Sequence, residues 1–400
     1  MKKIILTTII SLFIATGSFA QAYSGKCGDN LTWELYTETG VLTISGTGAM
    51  TGYFYTSGNI TTAPWGEYAA LLKSLVLSDG ITHIGKYAFW GCSGFEGDLV
   101  IPNSVKTMGE YAFRGCNGFN GSLTMPNSIE EIKDGTFAFC RGFTGDLIIP
   151  NSVKTIGYEA FRECRGFTGS LTFGDEVTHI GNDAFYLCNG FSGSLIIPNS
   201  MKTIGSNAFR DCSGFTGDLT IPNLVVTIGN NAFRGCNGFT GSLTISNSLE
   251  TIGGGAFSYC NFTSIVSNAI APPATVESAF TGINKSIPVS VPYGTVADYQ
   301  AADGWKDFTY FIEMEGEVGI NDNIQTIAGV YSNADGAFTV DVAGSETFNV
   351  TVINISGQVV KRETAKGGSH IVNINNQPAG VYMFVIDNGK QKTTVKVSKR

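Results

Sequence analysis

The stretch Ile149–Thr172, IPNSVKTIGYEAFRECRGFTGSLT, recurs with small changes up and down the chain. Its opening apolar residue falls at Leu77, Ile101, Met125, Ile149, Phe173, Ile197, Ile221 and Ile245, each 24 residues from the next. Its cysteine falls at Cys92, Cys116, Cys140, Cys164, Cys188, Cys212, Cys236 and Cys260 in the same register. A fixed period in this range marks a solenoid, in which each coil contacts only its neighbours. Within one copy, Leu123 and Met125 alternate with Ser122 and Thr124, the period of a half-buried strand. Pro126-Asn127 then breaks the strand, because proline lacks a ladder donor and asparagine favours turns. Ile129, Ile132, Phe137, Cys140 and Phe143 follow as inward residues between glycines and small polar residues. The apolar side chains of one coil do not offset the entropy of ordering its backbone, so coils must stack and the stack must be closed at both ends.

Composition bounds the rest. Glycine is plentiful at 51 residues, and within the repeats it falls at fixed positions that mark turns. A net charge of −8 with only 14% charged residues argues against nucleic-acid partners and against a basic patch for anionic membranes. Residues 1–20 open with Met-Lys-Lys, continue through the apolar Ile4–Ala15 and reach Ser18-Phe19-Ala20, the pattern of a secretory signal cut after Ala20. No later stretch has the ~18 apolar residues of a membrane span. The mature chain is therefore expected to be exported without a transmembrane segment. The cysteines lack the clustered spacing of a metal site, and stacked parallel side chains suit buried free thiols better than disulfides.

The run Ile-Pro-Asn-Ser-Val-Lys-Thr-Ile-Gly-x-x-Ala-Phe-x-x-Cys resembles the BspA-type (leucine-rich repeat class 5) repeats of bacterial surface proteins. The departures are local: Lys133 stands for the usual glycine, Gly174 for proline, and the last coil is shortened at Asn261-Phe262. Cys27 through Gly48, followed by Pro64-Trp65, resembles the N-terminal hairpin cap of such proteins. Val291 through Trp305 looks like their closing segment. The final strands, with Ile355-Ser-Gly-Gln-Val-Val, Pro378-Ala-Gly-Val-Tyr and a terminal Lys-Val-Ser-Lys-Arg, resemble the C-terminal sorting domain of type IX secretion substrates. The usual Pro-Asn-Pro opening is replaced there by Tyr331–Gly336. This resemblance implies passage across an outer membrane through the secretion machinery.

The expected fold is mostly β: a leucine-rich repeat solenoid of about eight 24-residue coils, capped at both ends, plus a small C-terminal Ig-like β-sandwich. The expected organisation is a signal peptide (1–20), an N-terminal cap (21–74), the solenoid (75–263), a C-terminal cap (264–313), a linker (314–325) and the sorting sandwich (326–400).

Chemistry is hard to find. His83 and His179 share a repeat position but stand four coils apart, and His370 belongs to the tail. No phosphate loop or nine-residue calcium repeat is present, so no catalytic residue, metal or cofactor is assigned. Binding faces are better supported. Thr124, Thr172, Thr220 and Thr244 point outward from the repeated strand with Val100, Ile148 and Ile196, and Asp98, Asp146 and Asp218 lie beside them. This β-branched face either holds an extended partner or simply suits strands. A second column, Arg114, Arg162, Arg210 and Arg234, with Trp90 and Tyr186 in register, either grips carboxylates or forms a solvated rim. Tyr53, Phe54, Tyr55 and Trp65 in the cap suit either a sugar platform or core packing. The functional expectation is a non-catalytic, secreted or surface-exposed protein that binds a protein or glycan on a host or neighbouring cell. The alternative is an envelope spacer or a surface-polysaccharide-binding protein.

Overall fold

The computed structural model describes residues 21–314, 328–332, 337–389 and 392–399. The expected signal peptide, nearly all of the expected linker and most of Tyr331–Gly336 lie outside these residues. The chain divides into two compact units, residues 1–314 and 315–400.

The first unit is a β-solenoid of about ten turns, more than the 24-residue copies alone supply, because both caps continue the coil. At the N-terminal end Val41–Gly46 pairs in parallel with Ser74–Leu77, and at the C-terminal end Ser264–Ser267, Val289–Val291 and Phe311–Glu313 extend the same ladder. Each coil has three walls. The first carries short strands such as Leu99–Val100, Leu123–Thr124, Leu147–Ile148 and Leu171–Thr172. These pair as Leu99 with Leu123 and Leu147 with Leu171. Among the described residues, no strand pairing joins Leu123–Thr124 to Leu147–Ile148.

The second wall is more continuous. Glu131–Ile132, Thr155–Ile156, His179–Ile180, Thr203–Ile204, Thr227–Ile228 and Thr251–Ile252 form one parallel sheet. It stops short of Thr107–Met108, which pairs instead with Ile81–Ile84. That junction is the one beneath Lys133, and the cause is steric. The column Lys133 belongs to is otherwise glycine, and a Cβ built at Gly109 would lie 2.3 Å from the backbone nitrogen of Lys86 in the coil before. The lysine side chain forbids that approach, so the ladder opens there while the fold survives.

The third wall is the Ala-Phe turn. Its ladder is built from backbone bonds such as Phe113 N–H to Thr136 O (2.8 Å), Phe137 N–H to Ala160 O (2.8 Å) and Phe161 N–H to Ala184 O (2.8 Å). To make these bonds each coil places two residues in the left-handed region, for example Tyr111 and Gly115, or Glu159 and Glu163.

Two phenylalanine columns fill the core. Phe89, Phe113, Phe137, Phe161, Phe185, Phe209, Phe233 and Phe257 stack near-parallel at 5.0–5.7 Å. The Phe95-to-Phe239 column does the same at 5.1–6.3 Å. The stack ends on tryptophans: Trp65 lies 5.4 Å from Phe89, and Trp305 lies 4.9 Å from Phe280. Both are fully buried, and each indole N–H is satisfied, by Ala88 O (2.9 Å) and Pro273 O (3.0 Å). The cysteines between the rings are free and buried. Each thiol from Cys116 onward donates to a phenylalanine carbonyl of the preceding coil, as Cys164 Sγ does to Phe137 O at 3.1 Å. Burial holds the Cys92, Cys116, Cys164, Cys188, Cys212, Cys236 and Cys260 thiols above their ordinary range, Cys260 at about 12, which makes them poor nucleophiles.

The second unit is one five-stranded antiparallel sheet curled into a half-barrel, in place of the expected two-sheet Ig-like sandwich, because one long strand pairs with three others and keeps them in a single ladder. The long strand Ala337–Asn354 pairs with Ala328–Ser332 and Val359–Asn373, and its second half also pairs with Gly380–Asp387, which in turn pairs with Lys392–Lys399. A register shift between Val342 and Thr347 marks the bend. Phe338, Val340, Phe348, Val350, Tyr382 and Phe384 fill the interior.

Candidate binding wall

Sequence reasoning offered two columns, and they lie on different walls. Thr124, Thr172 and Thr220 are exposed on the first wall and Thr244 is half-buried. Val100, Ile148 and Ile196 alternate with them and are well exposed. The neighbouring aspartates are exposed but not isolated. Asp98 Oδ1 accepts from Ser122 N–H (2.6 Å) and Oγ (2.8 Å), and Asp146 Oδ1 accepts from Ser170 N–H (2.6 Å) and Oγ (2.9 Å). Asp218 Oδ1 accepts from Ser242 N–H (2.6 Å). These bonds to the next coil hold the Asp98 and Asp146 carboxyls below the usual carboxylate range. The aspartates brace coil to coil, which leaves them less free to serve a ligand.

The arginines lie on the third wall, interleaved with aromatic rings. Arg114 sits over Trp90 at 5.0 Å and over Phe139 at 4.5 Å. Arg162 sits over Phe139 at 5.8 Å and over Tyr186 at 4.8 Å, Arg210 over Tyr186 at 5.4 Å, and Arg234 over Tyr259 at 4.8 Å. Tyr55 of the cap extends the row by stacking on Trp90 at 4.6 Å. Of the other cap aromatics, Trp65 is core, Tyr53 packs against the core, and Phe54 is exposed.

Two acidic residues organise the cations. Glu159 bridges Arg114 (2.9 Å) and Arg162 (2.6 Å), and Glu163 bridges Arg141 (2.5 Å) and Arg165 (3.1 Å). Burial pushes the Glu159 carboxyl up, but Arg114, Arg162 and the Tyr158 hydroxyl outweigh it and hold it below the ordinary range. Asp183, beside Arg162 and Arg210, and Asp211, 3.4 Å from Arg210, balance the Glu159 cluster, whereas Glu163 alone faces both Arg141 and Arg165. At the N-terminal end the wall opens on a cavity of about 480 Å³ bounded by Asn59, Ile60, Trp90, Arg114, Asn117 and Phe139.

Phe139, Glu159 and Glu163 were missed by sequence reasoning. They occupy the two left-handed positions of their coils, which other coils fill with glycine (Gly91, Gly115, Gly135, Gly235, Gly255) or with residues as varied as Tyr87, Tyr111, Leu187, Asn207 and Tyr259.

The histidines stay apart from one another. His83 Nδ1 pairs with Thr107 Oγ1 (2.7 Å), His179 Nδ1 with Thr178 Oγ1 (2.6 Å), and His370 Nε2 lies 3.3 Å from Glu363. Among the described residues, no three His, Cys, Asp or Glu side chains gather as a metal site requires, and no helix is long and apolar enough to cross a membrane.

The family model for the BspA-type leucine-rich repeat region matches residues 67–192, 142–263 and 216–295. The model for the secretion system C-terminal sorting domain matches residues 330–400. No curated protein matches the chain. Among solved structures, a leucine-rich repeat protein from Eubacterium ventriosum is 19% identical, with a TM-score of 0.44, over 73% of this chain and 85% of that one. The pneumococcal vaccine antigen PcpA is 15% identical, with a TM-score of 0.30, over 72% of this chain and 98% of that one.

Proposed function

The chain belongs to the BspA-type leucine-rich repeat family, and we propose that it is a non-catalytic binding protein that engages a macromolecule on a host or neighbouring cell through its third wall. Its C-terminal sorting domain takes it through type IX secretion to the outer surface or the medium. The observation that carries the reading is the row of alternating guanidinium groups and rings from Trp90 to Arg210, held in register by the backbone ladder beneath it. Arginine and aromatic residues are the side chains that dominate binding energy at protein surfaces. A rigid row spends little ordering entropy when a ligand docks. Catalysis would need an acid, base or nucleophile converging on one reacting atom; the wall instead repeats one cation at intervals, and the thiols are sealed in the core.

The test is cell binding by the purified protein and by its Arg114→Gln, Arg162→Gln, Arg210→Gln triple variant. Loss of binding with an unchanged unfolding midpoint supports the reading. Undiminished binding moves the site to another wall.

A further inference from the structure

The cavity at the N-terminal end of the third wall exists because two glycines leave it empty. Gly91 and Gly115 hold the second left-handed position of their coils, at φ 73° and 77°. The next four coils fill that position with Phe139, Glu163, Leu187 and Asp211. A Cβ at Gly115 would meet nothing closer than Gly91 at 3.7 Å, so the floor there is open. At Gly91 a Cβ would fall 2.1 Å from Asn59 O, because the cap loop comes down directly onto it. The cap loop thus closes one side of a space of about 480 Å³, and Phe139, one coil beyond Gly115, closes the other. That volume lies within the range of small-ligand pockets, about 300–1,000 Å³.

The polar groups around this space carry no unbalanced charge. Asn59, Ser93 and Asn117 are exposed, and their side chains make no hydrogen bond to another described residue. Arg114 is the one charged side chain of the lining among the described residues. Its Nη1 donates to Glu159 at 2.9 Å, and the rest of the guanidinium is left to donate elsewhere. Residues 50–66 of the cap include no charged side chain. Trp90 gives its ring to Tyr55 (4.6 Å) and Arg114 (5.0 Å), so recognition here falls to hydrogen bonds more than to ring stacking.

Resting on the reading of the third wall as the binding face, we infer that this cavity takes the terminal sugar of a neutral glycan. An amide or a hydroxyl both donates and accepts, and a guanidinium donates. Sugar hydroxyl groups answer all three. Ile60, 37% exposed, and Phe139 supply apolar contact for the C–H face of a sugar ring. A charged peptide finds no unpaired partner in the lining. An apolar one would strand the three amide and hydroxyl side chains without hydrogen bonds.

The experiment is equilibrium binding of the full chain to a panel of neutral oligosaccharides built from hexose and N-acetylhexosamine. Their carboxylated counterparts and neutral peptides of similar length form the other two arms. Binding is expected in the neutral oligosaccharide arm. Gly115→Leu fills the floor, and Leu187 at φ 61° shows that the repeat accepts leucine at this position. That variant should lose oligosaccharide binding with its unfolding midpoint near that of the parent. Asn117→Ala should weaken binding about tenfold. Binding unchanged in a folded Gly115→Leu variant, or binding confined to the carboxylated or peptide arms, overturns the inference. If Gly115→Leu does not fold, unchanged binding in a variant combining Ser93→Ala with Asn117→Ala overturns it instead. If no oligosaccharide binds while cell binding still requires Arg162 and Arg210, the inference falls and the proposed binding face stands. If cell binding requires neither the arginines nor an open cavity, both fall.

Discussion

Gly166 shows what a single position in this stack demands. A Cβ there would come within 2.4 Å of Arg141 O and 2.5 Å of Phe143 O in the preceding coil. Both are backbone atoms, so neither can yield cheaply. Gly166→Ala is expected to destabilise the solenoid by about 1–3 kcal/mol, read from the denaturation midpoint of the full chain. Asp146 gives a prediction in pH. Its carboxyl is depressed by the Ser170 N–H and hydroxyl, so its contribution is complete above the ordinary carboxylate pKa and is lost as pH falls through the folded value. Asn182 and Asn230, in a different column of the repeat, accept the same kind of inter-coil bond through an amide oxygen, from Ser206 N–H (2.7 Å) and Gly254 N–H (2.8 Å). Asp146→Asn should therefore keep the bond and soften the acid-side loss of stability, measured as the unfolding midpoint between neutral and acidic pH. An unaltered acid limb would show that Asp146 contributes nothing to it. The core at this scale was legible in the sequence, because Phe, Cys and Leu repeat at one spacing and each column has one environment. The binding wall was legible only in part. Arg114 and Arg162 stand in a column, but Phe139 and Glu159 belong to it only through left-handed backbone that the spacing does not reveal.

Most strands of the repeated coils are two residues long, so such an element holds only when it pairs with the next coil. The second wall shows how one residue decides that. In other coils the glycine of this column donates to the preceding coil, as Gly109 N–H does to Ile84 O (2.8 Å) and Gly157 N–H to Ile132 O (2.8 Å). Lys133 stands where the same bond would be made to Met108. Lys133→Gly is expected to close the ladder there and to slow exchange of the residue-133 amide toward the rate of the Gly157 amide. A net gain of about 0.5–1.5 kcal/mol per added hydrogen bond is the scale to look for, less the entropy of the new glycine. Continued rapid exchange would mean that something other than the lysine Cβ keeps the coils apart. The departure from the repeat at Lys133 was visible in the sequence; that it opens a ladder follows only from the distance between coils. The caps show the opposite case. Their β-alternation was readable, yet their continuation of the parallel ladder was not, since Leu42 and Val289 carry no repeat signature to align them with Leu99.

At the scale of the molecule, two units carry two tasks. The tail matches a sorting domain, so removing residues 328–400 should leave the chain inside the cell with its solenoid intact. Appearance of the shortened chain at the surface in normal amount would contradict that role. The division of labour was readable because composition and periodicity change together near residue 326. The account as a whole depends on successive coils rising evenly, so that one column of the sequence becomes one row in space. Spin labels at Thr124 and Thr220, four rungs apart, and at Thr124 and Ser290, seven rungs apart, measure that rise directly. Electron–electron distances centred near ~20 Å and ~34 Å, in proportion to the number of rungs, are the predicted result. Distances that do not grow with rung number, or broad distributions at both pairs, would contradict the stack and every row drawn from it.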